Sequence, residues 1–120
     1  MIELIKNGTI TSAKDFVAGA ISAGIKTSSE NNLDLGIVKS KNLSNIAATF
    51  TSNKVVSPSV TVSKEKISSS NSSQAIIVNS GCANCCVGNQ GYLDAQEMCD
   101  LVASHHSISS ENTKTSIYSS

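Results

Sequence analysis

Hydrophobic positions along the chain fall into short runs rather than one long periodic stretch. Residues 16–26 read FVAGAISAGIK, small and β-branched, with glycines at 19 and 24. That pattern predicts a strand whose backbone bends or is closely approached. A polar turn cluster over 27–32 ends it, and a second short strand is predicted over 34–39 (DLGIVK). Residues 45–51 predict a third strand, and their imperfect alternation fits one covered on both faces. The single proline, Pro58, opens residues 58–67. Proline suits the first turn of a helix, whereas Val60, Thr61 and Val62 suit a strand, so both readings stand. Residues 68–73 are rich in Ser and Asn and read as an exposed loop.

The strongest local signal is the continuous apolar run Ala75-Ile76-Ile77-Val78, bounded by polar residues as a buried central strand is. It leads into Asn79-Ser80-Gly81 and a loop containing Gly88 and Gly91. A helix is predicted over 92–104, where Tyr92, Ala95, Cys99 and Val102 recur at three- and four-residue steps and form one stripe. Asp94 and Glu97 lie near its start and His105 and His106 at its end, the placement a helix dipole favours. Strand, glycine loop and helix make half of a βαβ unit. Residues 115–118 predict the next strand, and the chain reads as truncated inside it. The expectation is one partial α/β domain over 1–120, a mixed sheet with flanking helices.

Composition narrows the function classes. The 120 residues carry nine Lys, no Arg, nine acidic residues and no net charge. With 39% hydrophobic and 15% charged residues, the chain is too apolar for a disordered charged tail. Nucleic-acid affinity rests largely on phosphate neutralisation and base stacking on aromatics, so a neutral chain with 3% aromatics and no Trp is not expected to bind nucleic acid. Nothing approaches the ~20 apolar residues of a membrane span, and residues 1–14 contain no secretory h-region. Cys82, Cys85, Cys86 and Cys99 cluster instead of closing distant loops, which points to reduced thiols in the cytosol.

Candidate chemistry is sparse. A glycine turn between a buried strand and a helix can aim N–H groups at an anion. Glycines at 81, 88 and 91 match neither G-x-G-x-x-G nor the P-loop, and a structural turn is the plainer reading. Cys82-x-x-Cys85-Cys86 with Cys99 and the histidines has zinc-type residues. However, Cys99 falls on the apolar stripe, where a thiol acts as a small hydrophobe. A small zinc or redox module stays as the alternative function. No nucleophile elbow and no carboxylate pair demand a catalytic role.

Four segments together resemble the ornithine acetyltransferase family, the bifunctional glutamate N-acetyltransferases of arginine biosynthesis. Residues 16–26 resemble the family's GF-x-AAG-x-x-AGIK opening, and 34–38 (DLGIV) its DLALI strand. Residues 47–55 (AATFTSNKV), with Pro58 after them, resemble AAGVFTTNRVKAAPV. Residues 75–91 (AIIVNSGCANCCVGNQG) are similar to AIVVNSGNANACTGEQG, followed by the family's Asp-Ala pair as Asp94-Ala95. Cys82 replaces the loop's first Asn, Cys85 and Cys86 its Ala-Cys, Gly36 an Ala and Lys54 an Arg.

The resemblance implies a four-layer α/β/β/α sandwich made from a precursor that cleaves itself before a threonine. That threonine becomes the nucleophile that moves acetyl from N-acetylornithine to glutamate, its hydroxyl activated by its own α-amine beside an oxyanion hole. Nucleophile and hole match positions beyond residue 120, so no catalytic residue, no metal ligand and no cofactor is assigned here, and the 120 residues alone are expected to be inactive. The implied partners are the two small molecules and the chain's own β-chain in an α2β2 heterotetramer, in the cytoplasm. Asn79, Gly81 and Asn84 are the candidates nearest the substrate, because a strand-to-helix loop lies at a strand's carboxyl end. An autoproteolytic aminopeptidase of related fold ranks lower, since it does not share the loop sequence.

Overall fold

A computed structural model describes residues 3–26, 32–82 and 88–118. Four strands form one mixed sheet in the order of the chain: β1 (Phe16–Ile21), β2 (Leu35–Asn45), β3 (Ser72–Ser80) and β4 (Thr113–Tyr118). β1 pairs antiparallel with β2 from Phe16↔Ser40 to Ile21↔Leu35. β2 pairs antiparallel with β3 from Leu35↔Asn79 to Lys39↔Ala75, then bulges before Ser44 meets Ser73. β3 and β4 run parallel, Ala75 opposite Thr113. Two helices, α1 (Pro58–Ser69) and α2 (Gly88–His106), complete the described fold.

Parallel strands need a crossover connection. The β3–α2–β4 unit supplies it, and the strand and the helix read within 75–104 both form, with residues 83–87 outside those described. β3 alternates, with Ser73, Ala75, Ile77 and Asn79 buried and the residues between them half-buried. α2 is longer than its stripe suggested, because Gly88 and Gly91 belong to its first turns rather than to the loop. It ends in a Schellman-type closure: Ser107 takes φ 54° and the Ile108 N–H reaches the Ala103 carbonyl at 2.9 Å. The open choice at 58–67 resolves as helix, with Pro58 at its start.

Several boundaries differ from the sequence expectation: β2 runs past 39 to Asn45, and β4 starts at Thr113 rather than 115. The strand beginning at Phe16 stops at Ile21, well short of 26. The segment read as a loop over 68–73 shrinks to two residues between α1 and β3. The third strand expected over 45–51 does not form: Asn45 ends β2, and 46–57 has neither helix nor strand. The β2–β3 ladder ends where Asn45 meets Ser72, and the chain leaves the sheet there. Ile46 makes one backbone bond, to the Asn71 carbonyl at 2.8 Å. Ile46, Ala48 and Phe50 instead line a hollow of about 260 Å³ with Val60 and Ile67 of α1.

The core sits between the helices. Val62 of α1 packs with Ala95 and Cys99 of α2, and half-buried Tyr92 closes the cluster. Burial pushes the Cys99 thiol above its ordinary range, which keeps it protonated and inert. At the other end of α1, Lys66 Nζ donates to the Ser110 carbonyl at 2.6 Å and to its Oγ at 2.9 Å. Lys114, almost fully buried, donates to the Glu111 and Lys66 carbonyls. Burial first, and the Lys66 charge second, lower its pKa.

Beside it Thr113 is fully buried, and its Oγ1 has no hydrogen-bond partner. A buried unpaired hydroxyl costs free energy that an isosteric methyl does not. Thr113→Val is therefore expected to hold or raise stability, by about 1 kcal/mol in urea unfolding. A clear loss would mean that the hydroxyl has a partner.

Candidate functional site

The carboxyl end of β3 meets the turn after β1 at Asp34, just ahead of β2. Asp34 is 2% exposed, and its carboxylate accepts three backbone N–H bonds: Oδ1 from Ala23 at 2.6 Å, Oδ2 from Ile25 at 2.7 Å and from Lys26 at 3.0 Å. Its main chain joins three strands, because its N–H donates to the Ile21 carbonyl and its carbonyl accepts from Ser80. One residue thus locks the 23–26 turn against the end of the sheet. The Lys26 and Ala23 amides hold the carboxyl below the usual carboxylate range. A depressed folded pKa contributes stability above the unfolded value of about 3.9 and loses it as pH falls through the folded value. The Ala23, Ile25 and Lys26 amides should stay protected from hydrogen exchange to below the ordinary carboxylate range, then open. Asp34→Ala should expose them at neutral pH. Protection that survived this substitution would mean that Asp34 does not hold the turn.

Asn79 and Gly81 lie at this junction. Gly81 has φ 97°, open to glycine and rarely to others, and a Cβ there would collide with the Lys26 side chain. Asn79 is 5% exposed, and its Oδ1 has no partner. It lines a hollow of about 670 Å³ with Ile25, Leu35, Ile77, Leu101 and Val102. The side chain thus turns toward α2, while the main chain carries on to Gly81. Asn84 lies outside the described residues, as do Cys85 and Cys86. The structure brings Asn79 and Gly81 together with Asp34 and Lys26. Sequence reasoning placed Asp34 only at the start of a strand; a lone carboxylate following the Gly24 turn was the available signal.

The zinc-type residues are spread apart. Cys82 is exposed at the end of β3, whereas Cys99 is buried in the helix–helix core. Among the described residues, no three His, Cys, Asp or Glu side chains are placed to hold a metal. His105 and His106 pack edge to face with centroids 5.2 Å apart. His106 Nδ1 accepts from Lys39 Nζ at 3.5 Å, so the end of α2 rests on β2. Burial, and then the Lys39 charge, lower the His106 pKa. Ser110 accepts from Lys66 and donates to Asp100, a cluster that ties α1, α2 and the approach to β4 together. No helix among the described residues is long and apolar enough to cross a membrane.

The sequence and the fold are similar to those of known proteins. The ArgJ family model matches residues 17–119. The chain is 44% identical over 102 residues to the arginine biosynthesis bifunctional protein ArgJ of Dehalococcoides mccartyi, covering 85% of this chain and 25% of the relative. It is 40% identical over 107 residues to that of Staphylococcus epidermidis, covering 89% and 26%. It spans about a quarter of the length of these curated relatives. The fold is similar to the crystal structure of ArgJ from Bacillus halodurans, with a TM-score of 0.88, 34% identity, and 94% of this chain and 58% of that one covered. It is similar also to ornithine acetyltransferase from Mycobacterium tuberculosis complexed with ornithine, with a TM-score of 0.83, 28% identity, and coverage of 92% and 58%. A family match over residues 17–119, together with the 0.88 TM-score to a solved ArgJ structure, places this chain in the ArgJ family.

Proposed function

We propose that the chain supplies the first sheet and its helices to a glutamate N-acetyltransferase, which carries acetyl from N-acetylornithine to glutamate in arginine biosynthesis. The observation that carries this reading is the family match over 17–119 together with the 0.88 TM-score to an ArgJ structure. A relative crystallised with ornithine supports a small amino-acid substrate.

In this reading 1–120 is one partial domain that works with a β-chain in an α2β2 assembly in the cytoplasm. The nucleophile is a threonine outside these residues, and its own α-amine takes the hydroxyl proton as acetyl is captured. This chain contributes architecture. Asp34 fixes the turn at the end of β3, and Gly81 lets the loop leave the sheet. Asn79, Gly81 and Asn84 are the residues of this chain nearest the substrate in this reading.

Reconstitution tests the reading. The 120 residues are co-expressed with the part of the Dehalococcoides mccartyi relative outside its matched 25%, and ornithine release from N-acetylornithine is followed with glutamate present. Glutamate-dependent release is expected. A complex that forms and transfers no acetyl would remove the assignment.

A further inference from the structure

Several segments meet at one corner of the sheet. β1 runs toward the 23–26 turn, β2 begins beside Asp34, and β3 leaves the sheet at Gly81. β4, parallel to β3, ends at the same corner, with Tyr118 opposite Ser80. Ligands of open α/β sheets bind outside the carboxyl ends of parallel strands. The direction in which the chain leaves Gly81 therefore bears on any site built there.

One side chain reaches across this corner. The stem of Lys26 lies along Gly81: a Cβ at 81 would run into Lys26 Cγ and meet Cε at 3.3 Å and Cδ at 3.4 Å. Three methylenes of one residue thus fill the space that the glycine leaves. Both sides of this contact are held by Asp34. Its carboxylate accepts the Ile25 N–H at 2.7 Å and the Lys26 N–H at 3.0 Å, which fixes the base of the lysine side chain. Its carbonyl accepts the Ser80 N–H at 2.9 Å, which fixes the residue before Gly81. Gly81 then takes φ 97° and turns the chain off the strand. Glycine is required here twice over, once for the backbone angle and once to admit the lysine stem.

We propose that Lys26 is a positioning residue: its methylene stem clasps Gly81 and sets the direction in which the chain leaves β3 toward the substrate. This role rests on the reading of the chain as part of an ArgJ enzyme, and it belongs to the stem and not to the charge. Lysine stems cover protein surface with apolar methylenes. Covering about two methylenes is enough to shift the balance between a clasped and an open turn by about 10-fold. The division of labour with Asp34 is clear: Asp34 holds the 23–26 turn through backbone amides, so the turn survives without the lysine side chain, whereas the exit at Gly81 does not keep its direction.

Two variants separate stem from charge. Lys26→Ala removes the stem, and Lys26→Met keeps most of it without the ammonium. In the 120-residue chain, Lys26→Ala should quicken hydrogen exchange of the Ser80 amide by about 10-fold, while the Ala23 and Ile25 amides stay protected by Asp34. In the reconstituted complex described above, it should raise KM for both N-acetylornithine and glutamate by about 3- to 10-fold, because a smaller fraction of the enzyme is competent to bind, with kcat within about twofold. Lys26→Met should match the parent in both measurements. Unchanged Ser80 exchange in Lys26→Ala would remove the clasp. Quickened Ser80 exchange with parental KM values would confine the clasp to the fold and overturn its positioning role. A Lys26→Met variant as impaired as Lys26→Ala would assign the effect to the ammonium and overturn the stem. Exposure of the Ala23 and Ile25 amides by Lys26→Ala would mean a collapsed turn in place of a loosened exit, and would overturn the division of labour with it. A parent complex that transfers no acetyl removes the reading beneath, and the substrate role falls with it, whereas Ser80 exchange decides the clasp by itself.

Discussion

Acetyl transfer by the 120 residues alone should be undetectable, at least about 10⁴-fold below the reconstituted complex, since removing a nucleophile from a covalent mechanism costs at least that much. The described hydroxyls explain why no substitute nucleophile is at hand. The Ser110 hydroxyl donates to Asp100 and accepts from Lys66, so its proton is held and its lone pair engaged. Ser57 pairs with Ser59, and Ser44 with Ser40. None of these hydroxyls has the neutral base that covalent catalysis needs to take its proton. The buried Cys99 thiol is raised out of its reactive range. The measurement is ornithine release from N-acetylornithine in the presence of glutamate, with the isolated chain at high micromolar concentration. Glutamate-dependent turnover above the uncatalysed rate would place the nucleophile inside these residues and dismantle the functional proposal. A silent chain that regains turnover with the remainder of a relative would locate the chemistry in that remainder.

How much of this could be read from the residues depends on whether a signal was local. The β3–α2–β4 unit was legible because a four-residue apolar run and a helical stripe each announce themselves within a single element. Cys99 read as a hydrophobe rather than a ligand for the same reason: Ala95, Val102 and Ala103, three and four residues away, are apolar. The phantom strand over 45–51 shows the limit. Ile46, Thr49 and Phe50 have strand composition, but composition cannot report that the chain leaves the sheet after Asn45 meets Ser72 and turns toward α1. The hollow around Asn79 was not legible either. Its walls come from the 23–26 turn, the start of β2, β3 and the far half of α2, and only the sheet register brings these together. Asp34 was hidden because its partners are backbone amides eight to eleven residues away, which leave no side-chain pattern. The Asn79–Gly81 loop drew notice by its sequence, yet the direction of the Asn79 side chain toward α2 came only from the fold.

The second large effect follows from how small the core is. Val62, Ala95 and Cys99 form the buried cluster between the helices, and Ala75, Ile77 and Ala103 are the other buried apolar residues described. Domains carry roughly 0.05–0.15 kcal/mol of stability per residue, and a core of small side chains belongs at the low end of that range, about 6 kcal/mol here. Val62 is 1% exposed, and trimming it to alanine should cost about 2 kcal/mol in lost transfer and cavity terms. Val62→Asp places a carboxylate among Ala95, Cys99 and Tyr92, where the cation one turn on, Lys66, is already committed to Ser110. An unpaired buried charge costs several kcal/mol, so added to the lost packing it consumes most or all of the fold's margin. Val62→Asp should therefore show no cooperative transition in guanidinium at 25 °C, with circular dichroism as the readout, while Leu101→Asp on the open side of α2 should unfold like the parent. The pair discriminates because both substitutions put the same charge on a helix, one at a buried position and the other at an exposed one. A cooperative Val62→Asp transition with an unchanged midpoint would mean that the α1–α2 contact does not hold this fold, and the stability would then have to reside in the strand ladder from β1 to β3.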